Sequence, residues 1–246
     1  MTRPCLKNRS NSLLSLLLLL CLTLISPGSS AEISLRPFSA RYDLYHGGMY
    51  IAVTELSLQR SGEHWRWSTL TTARGIYSWF TGKRPYTETT FSQVECEILL
   101  REILIADAGS DRKTESARFN WGNSKLDVKR KGKQKQLHLS DPVYDYQSIH
   151  LLAAAMHQQH LNQQTTDFYR KGKLVKSSLS YSGSDKIDVN GKSVNAIVYE
   201  QVIVKSDSTI KYYYDAENPL LPLRIVKLKP GKKPSILKLR KVDWSL

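Results

Sequence analysis

From Pro37 onward, apolar and polar positions alternate in short runs, and each run ends at residues that favour turns. Phe38, Ala40, Tyr42 and Leu44 interleave with Ser39, Arg41, Asp43 and Tyr45. A period of two puts one set on the core face of a strand and the other on its opposite face. Gly47-Gly48 follows, and two glycines supply the positive φ angles that a two-residue hairpin turn demands. The next run, Met49–Gln59, closes at Ser61-Gly62, and a third begins at Trp65 with Trp67, Thr69 and Thr71 on one face. The same reading predicts strands at Tyr86–Gln93, Ile98–Ile105, Thr114–Trp121 and Lys125–Arg130, then a last pair ending near Leu139. The pattern resumes over Phe168–Val175, Leu179–Val189, Val194–Lys205, Ile210–Asp215, Leu223–Lys229 and Ile236–Trp244. Gly122-Asn123, Asn190-Gly191, Ser206-Asp207 and Pro230-Gly231 are chain-reversal signals between runs.

One stretch breaks the period of two. Tyr146, Ile149, Leu152, Ala153 and Met156 fall three and four apart, with Gln147, His150, Gln158 and Gln159 between and after them. That spacing predicts an amphipathic helix of about four turns, capped by Asp145, to plug or lid the open mouth of a sheet. The small run Ala153-Ala154-Ala155 lets such a helix lie close against strands. Evenly spaced strands with this single helix predict a mainly β fold: a curved antiparallel sheet or partly open β-barrel. No internal repeat or linker divides the chain, so residues 32–246 are expected to form a single domain.

The first 31 residues do not fit that pattern. Arg3, Lys7 and Arg9 precede a nearly all-apolar run from Leu13 to Ile25, and Pro27-Gly28 then breaks any helix. Ser29-Ser30-Ala31 offers small residues at a cleavage site before Glu32. This is the layout of a secretory signal peptide, and it predicts a periplasmic protein starting at Glu32. An uncleaved N-terminal anchor is the rival reading, but the run falls short of the roughly 20 apolar residues of a membrane span. A lipidated Cys21 is disfavoured because Leu22, Leu24 and Ile25 carry the apolar run past it. Cys5 and Cys21 leave with the signal, so Cys96 has no internal disulfide partner and reads as packing between Val94 and Ile98.

The formal net charge of +14 favours anionic partners. Export takes nucleic acid off that list and leaves anionic lipid, lipopolysaccharide, lipoprotein or an envelope protein, with peripheral membrane contact. Two features carry this expectation. Lys129, Arg130, Lys131 and Lys133 crowd one hairpin around Gly132 as a basic, anion-contacting patch, which also reads as a solvated hairpin that blocks edge aggregation. Further basic groups gather at Arg170, Lys171, Lys173 and Lys176, and along Lys227–Lys241. The second feature is the segment between Gly75 and Gly82, where Ile76, Tyr77, Trp79 and Phe80 sit without alternation in a connection that ought to be polar. With Lys83 and Arg84 behind it, this segment either closes the core or touches a ligand or membrane.

Catalytic signals are missing. There is no Gly-x-Ser-x-Gly elbow, no glycine-rich nucleotide loop and no paired-cysteine metal site. The carboxylates Glu55, Glu88, Asp107, Asp188 and Asp215 are scattered. His150, His157 and His160 share the predicted helix, but no His-Glu-x-x-His motif accompanies them, so they read as exposed polar positions rather than metal ligands. No enzyme, metal or cofactor is expected.

Several blocks carry a family resemblance. Pro37–Tyr45, Thr72–Gly75, Thr87–Phe91 and Tyr214–Ile225 together resemble the exported proteobacterial family of domain of unknown function 3108, over nearly the whole chain after the signal. The resemblance implies an exported β protein and no settled activity. Architecturally, the Leu-Pro-Leu-Arg-Ile ending is similar to a strand pair of LolA/LolB-type periplasmic lipoprotein carriers, whose curved sheet shelters acyl chains. Two functions follow as expectations. One is a binding protein that holds a lipid or other amphiphile in the concave face of the sheet; the other is a protein- or cell-wall-interaction domain without a cavity.

Overall fold

The computed structural model describes residues 33–75, 77–78, 82–94, 97–108 and 113–245. Among the described residues fifteen strands form a single sheet. In chain order they are β1 (Phe38–His46), β2 (Met49–Ser61), β3 (His64–Ala73), β4 (Pro85–Val94), β5 (Glu97–Asp107), β6 (Lys113–Asn120), β7 (Lys125–Arg130) and β8 (Lys133–His138), then β9 (Val143–Tyr144). After the helix α1 (Ile149–Gln158) come β10 (Gln163–Arg170), β11 (Lys173–Val189), β12 (Lys192–Ile203), β13 (Thr209–Asp215), β14 (Pro222–Leu228) and β15 (Ser235–Trp244). The spatial order is β8-β7-β6-β5-β4-β3-β2-β1-β15-β14-β13-β12-β11-β10-β9. All neighbours are antiparallel except β9 and β10.

This order explains the curvature. The first and last strands pair in the middle of the sheet, with Phe38 opposite Trp244 and Leu44 opposite Leu237. Its two edges are β8 and β9, which are consecutive in the chain. Fifteen strands laid flat would hold their edges about 65 Å apart at 4.7–4.9 Å per strand. The link from His138 to Val143 spans at most roughly 18 Å. The sheet must therefore roll until its edges meet, and it does so without closing a hydrogen-bonded barrel.

Where the ends meet, they overlap. Residues Thr166–Tyr169 of β10 are buried in succession, so this strand is covered on both faces. The Tyr169 hydroxyl donates to Glu115 Oε1 of β6 at 2.7 Å, and Arg130 Nε of β7 donates to Glu115 Oε2 at 2.6 Å. Gly172 lies against Val128 and Arg130, and a Cβ there would stand 3.1 Å from Arg130 Cδ.

The expected Phe168–Val175 strand is corrected: it is a hairpin. Lys171 and Gly172 both take positive φ, 50° and 73°, and reverse the chain between β10 and β11. β11 then continues through Leu179–Val189 as one long strand, with a register shift beside Gly183. A Lys-Gly pair carries no strong turn signature, which hid the reversal.

α1 is shorter than its periodicity predicts and is not a lid. Every residue from Ile149 to Met156 is buried, His150 included. The helix fills one half of the roll, packed among Phe38, Leu58, Trp67, Phe91, Leu100 and Phe168. Its alanines allow the close approach. Burial of Ile149, Leu151, Leu152 and Met156 contributes roughly 1.5–3 kcal/mol each, which is why a helix this short persists inside a sheet.

Candidate functional site

The site is built where α1 begins. Asp145 Oδ1 accepts the backbone N–H groups of Gln147 (3.1 Å) and Ser148 (2.7 Å), while Ser148 Oγ accepts the Asp145 N–H at 2.8 Å. These bonds order the turn that precedes the helix. Asp145 is not its expected side-chain cap: the N-cap is Ser148, which makes no side-chain cap bond, and Asp145 meets the Ile149 N–H through its backbone carbonyl at 3.0 Å. The turn is tied to the sheet by Thr89, which contacts Asp145 Oδ2 and Gln147 Oε1, and by Gln147 Nε2, which donates to Thr69 Oγ1 (2.9 Å) and the Thr87 carbonyl (3.1 Å). The polar strip on the inner face of β3 and β4 thus serves to anchor this turn.

Beyond the turn the roll is not filled. A cavity of about 560 Å³ occupies the other half of the interior. One wall is Leu44, Leu56, Trp67, Ile103, Ile105 and Leu237; the facing wall is Ile210, Tyr212 and Ile225. Its floor is Thr54, Thr69, Thr87, Gln147 and His150, and at the mouth stand Arg170, Lys171 and Lys227 beside Glu115 and Tyr169. The Trp67 indole N–H is buried and has no acceptor among the described residues. Apolar walls with a few polar groups at one end suit a small ligand, and the volume falls within the usual range of roughly 300–1,000 Å³.

Electrostatics sharpen this division. His150 Nδ1 lies 2.8 Å from the Tyr214 hydroxyl, and its ring packs against Trp67 and Tyr212 at 5.6 and 5.2 Å between centroids. Burial lowers its pKa to about 3, so this imidazole carries no charge at neutral pH. Burial also raises the Tyr212 and Tyr214 hydroxyls well above the usual phenol range. At the mouth, Tyr169 is raised first by burial and then by its bond to Glu115. Arg130 answers the Glu115 charge, which leaves Arg170, Lys171 and Lys227 as the cations that line the opening.

The residues singled out from sequence divide into three groups. Ile76, Trp79, Phe80 and Cys96 lie outside the described residues. Tyr77 is half-buried and donates to Met49 Sδ at 3.8 Å, while Lys83 and Arg84 are exposed, with the Arg84 N–H bonded to Asp107 Oδ1 at 2.8 Å. Lys129, Lys131 and Lys133 are exposed on the β7–β8 hairpin, whereas Arg130 of the same patch turns inward to Glu115. His150 corrects the expectation of an exposed position; His157 and His160 remain partly or fully exposed. Among the described residues no group of three potential metal ligands forms. Sequence reasoning missed Glu115, Tyr169 and Gln147. Glu115 carried the one available signal, because it sits on the inward parity of β6 with Ala117 and Phe119.

A rolled, unclosed sheet around a buried helix, with a cavity at one end, makes this a β-barrel-like protein. The chain belongs to the DUF3108 family of proteins of unknown function, whose model matches residues 41–233. Among solved structures it is similar to the β-barrel-like protein of domain of unknown function DUF1849 from Brucella abortus, at 12% identity and a TM-score of 0.58, over 87% of this chain and 99% of that one. It is also aligned with a candidate exported protein of YmcC-like fold from Bacteroides fragilis, at 7% identity and a TM-score of 0.34, over 86% and 98% of the two chains. No curated protein matches the sequence. Among the described residues, no helix is long and apolar enough to cross a membrane.

Proposed function

We propose that this is an exported, non-enzymatic binding protein of the cell envelope that shelters a lipid or similar amphiphile with an anionic head. The observation that carries the reading is the cavity of about 560 Å³, apolar along its walls and cationic only at its mouth. An acyl chain inside would gain about 0.8 kcal/mol per buried CH₂, while Arg170, Lys171 and Lys227 meet a phosphate or carboxylate. The orphan Trp67 N–H adds a donor suited to an ester or amide carbonyl. A protein-interaction domain with a solid interior would have no use for this space.

The test is displacement of the fluorescent fatty acid cis-parinarate by myristate, without vesicles. Leu44→Trp and Ile225→Trp, both at half-buried wall positions, should each weaken the probe by about tenfold or more as they fill the cavity. Lys171→Glu with Lys227→Glu should weaken myristate more than its methyl ester. A wild-type protein that binds no probe, or tryptophan variants that bind it unchanged, would sink the proposal. Native mass spectrometry of protein from an envelope extract then identifies the natural ligand by its mass.

A further inference from the structure

In an up-and-down sheet, every second turn falls at the same end. The turns after β1, β3, β5, β7, β10, β12 and β14 all lie at the end where the cavity opens, and α1 runs from the cavity toward the other end. The two ends differ sharply in charge. Among the described residues of these mouth-end turns, nine are Lys or Arg and one is acidic. Lys131, Lys171, Lys205, Lys229 and Lys232 come from four different strand pairs, so the clustering arises in the fold and not in a single basic stretch. The acid, Asp207, is held by Lys229 at 2.9 Å. The described turns at the opposite end hold Glu63, Asp141 and Glu217, and no Lys or Arg. Strands of about ten residues separate the ends by roughly 30 Å, several Debye lengths at 0.1 M salt, so the far acids do not offset the mouth cations.

The same end exposes apolar side chains. Met49, Tyr50, Val202, Val204 and Leu228 are solvent-exposed, and all five flank mouth-end turns. Cations interleaved with exposed apolar groups are the composition that seats a protein in the headgroup layer of an anionic bilayer.

We propose that the ring of turns around the cavity mouth is a docking face for an anionic lipid leaflet, so that the protein sits with its cavity opening onto the membrane. This deepens the amphiphile reading, because it defines the route by which a lipid enters, but it stands on a different observation and fails separately.

The experiment is sedimentation of the protein with vesicles of phosphatidylglycerol and phosphatidylethanolamine, set against vesicles of phosphatidylcholine. Lys131→Glu, Lys205→Glu and Lys232→Glu together reverse three mouth-end charges that do not line the cavity. Lys125→Glu, Lys186→Glu and Lys192→Glu reverse the same number at or near the far end. The mouth triple should lose about tenfold or more of its affinity for the anionic vesicles at 0.1 M salt, and the far triple about twofold or less. Met49→Ser with Val204→Ser should release protein that wild type keeps bound in 0.5 M salt, since apolar contact is not screened. Equal losses in the two triples, or none in either, would overturn the docking face. So would binding of an acidic polysaccharide by a protein that ignores the vesicles. Melting temperatures check that each variant is folded. Myristate displacement separates the two proposals: a mouth triple that keeps myristate but leaves the vesicles supports docking, and loss of myristate binding by the wall tryptophans alone concerns only the cavity.

Discussion

At neutral pH the His150 imidazole is uncharged, because burial among Trp67, Tyr212 and Tyr214 holds its pKa near about 3 against an ordinary 6.5. Between these two values the unfolded chain takes up a proton at this position that the folded chain refuses. Stability therefore falls as pH drops from 6.5 toward 3, and this residue adds no pH dependence above that window. His150→Gln removes the titration but fits the Tyr214 hydroxyl less well, so it should cost roughly 1–3 kcal/mol at pH 7.5. The gap to wild type should then narrow by pH 4.5 in thermal unfolding across a pH series. A gap that is constant or widens would show that the buried imidazole is not the cause. In the sequence His150 was one of three polar positions on a helix, and nothing local distinguished it from His157 and His160. Its burial follows from strands on every side of α1, which helical periodicity does not encode.

Among the elements, the most consequential contact is the seam where β10 lies against β6 and β7. It has no ladder of backbone bonds, so Glu115 stands in for one by tying Tyr169 to Arg130. A buried carboxylate with one partly exposed cation is costly to break on either side. Glu115→Gln and Arg130→Gln should each destabilise the protein by roughly 1–3 kcal/mol. Because they remove the same interaction, the double variant should cost clearly less than the sum of the singles. Amide hydrogen exchange should rise in β6 and β7 ahead of β2 and β3. Additive costs, or exchange that rises uniformly, would mean the seam is held by packing alone. Strand existence was legible through alternation, and so were the turns at Gly47-Gly48 and Asn190-Gly191. The reversal at Lys171-Gly172 was not, since a Lys-Gly pair is a weaker turn signal than Gly-Gly or Asn-Gly. That missed turn also concealed the proximity of Gly172 and Arg130.

For the whole molecule, the pairing of β1 with β15 and the short link between β8 and β9 make a roll with one filled half and one open half. Ile33, close to the expected cleavage point, is buried in the core, and its carbonyl accepts Gln93 Nε2 at 2.9 Å. Cleavage after Ala31 would leave this contact intact. The mature chain should accordingly begin at Glu32, and an intact-mass spectrum of protein from a periplasmic extract checks this directly. A retained leader, or the mass of a diacylglycerol on Cys21, would refute it.

The sequence alone determined the secondary-structure type, the inward parity of most strands and the position of the helix. These rest on periods of two and 3.6, which are properties of neighbouring residues. It also carried the excess of positive charge and the basic clusters, because composition is independent of folding. Only the tertiary structure decided that α1 is enclosed rather than laid across the mouth. It alone placed Arg130 on Glu115 and gathered lysines from separate hairpins at one end. It alone left the inner faces of Leu44, Leu56, Ile105 and Ile225 without a partner across the roll. The physical reason is that a strand pattern fixes which way each side chain points but not what stands opposite. In this fold that is set by how tightly fifteen strands must curl for a five-step link to join their edges.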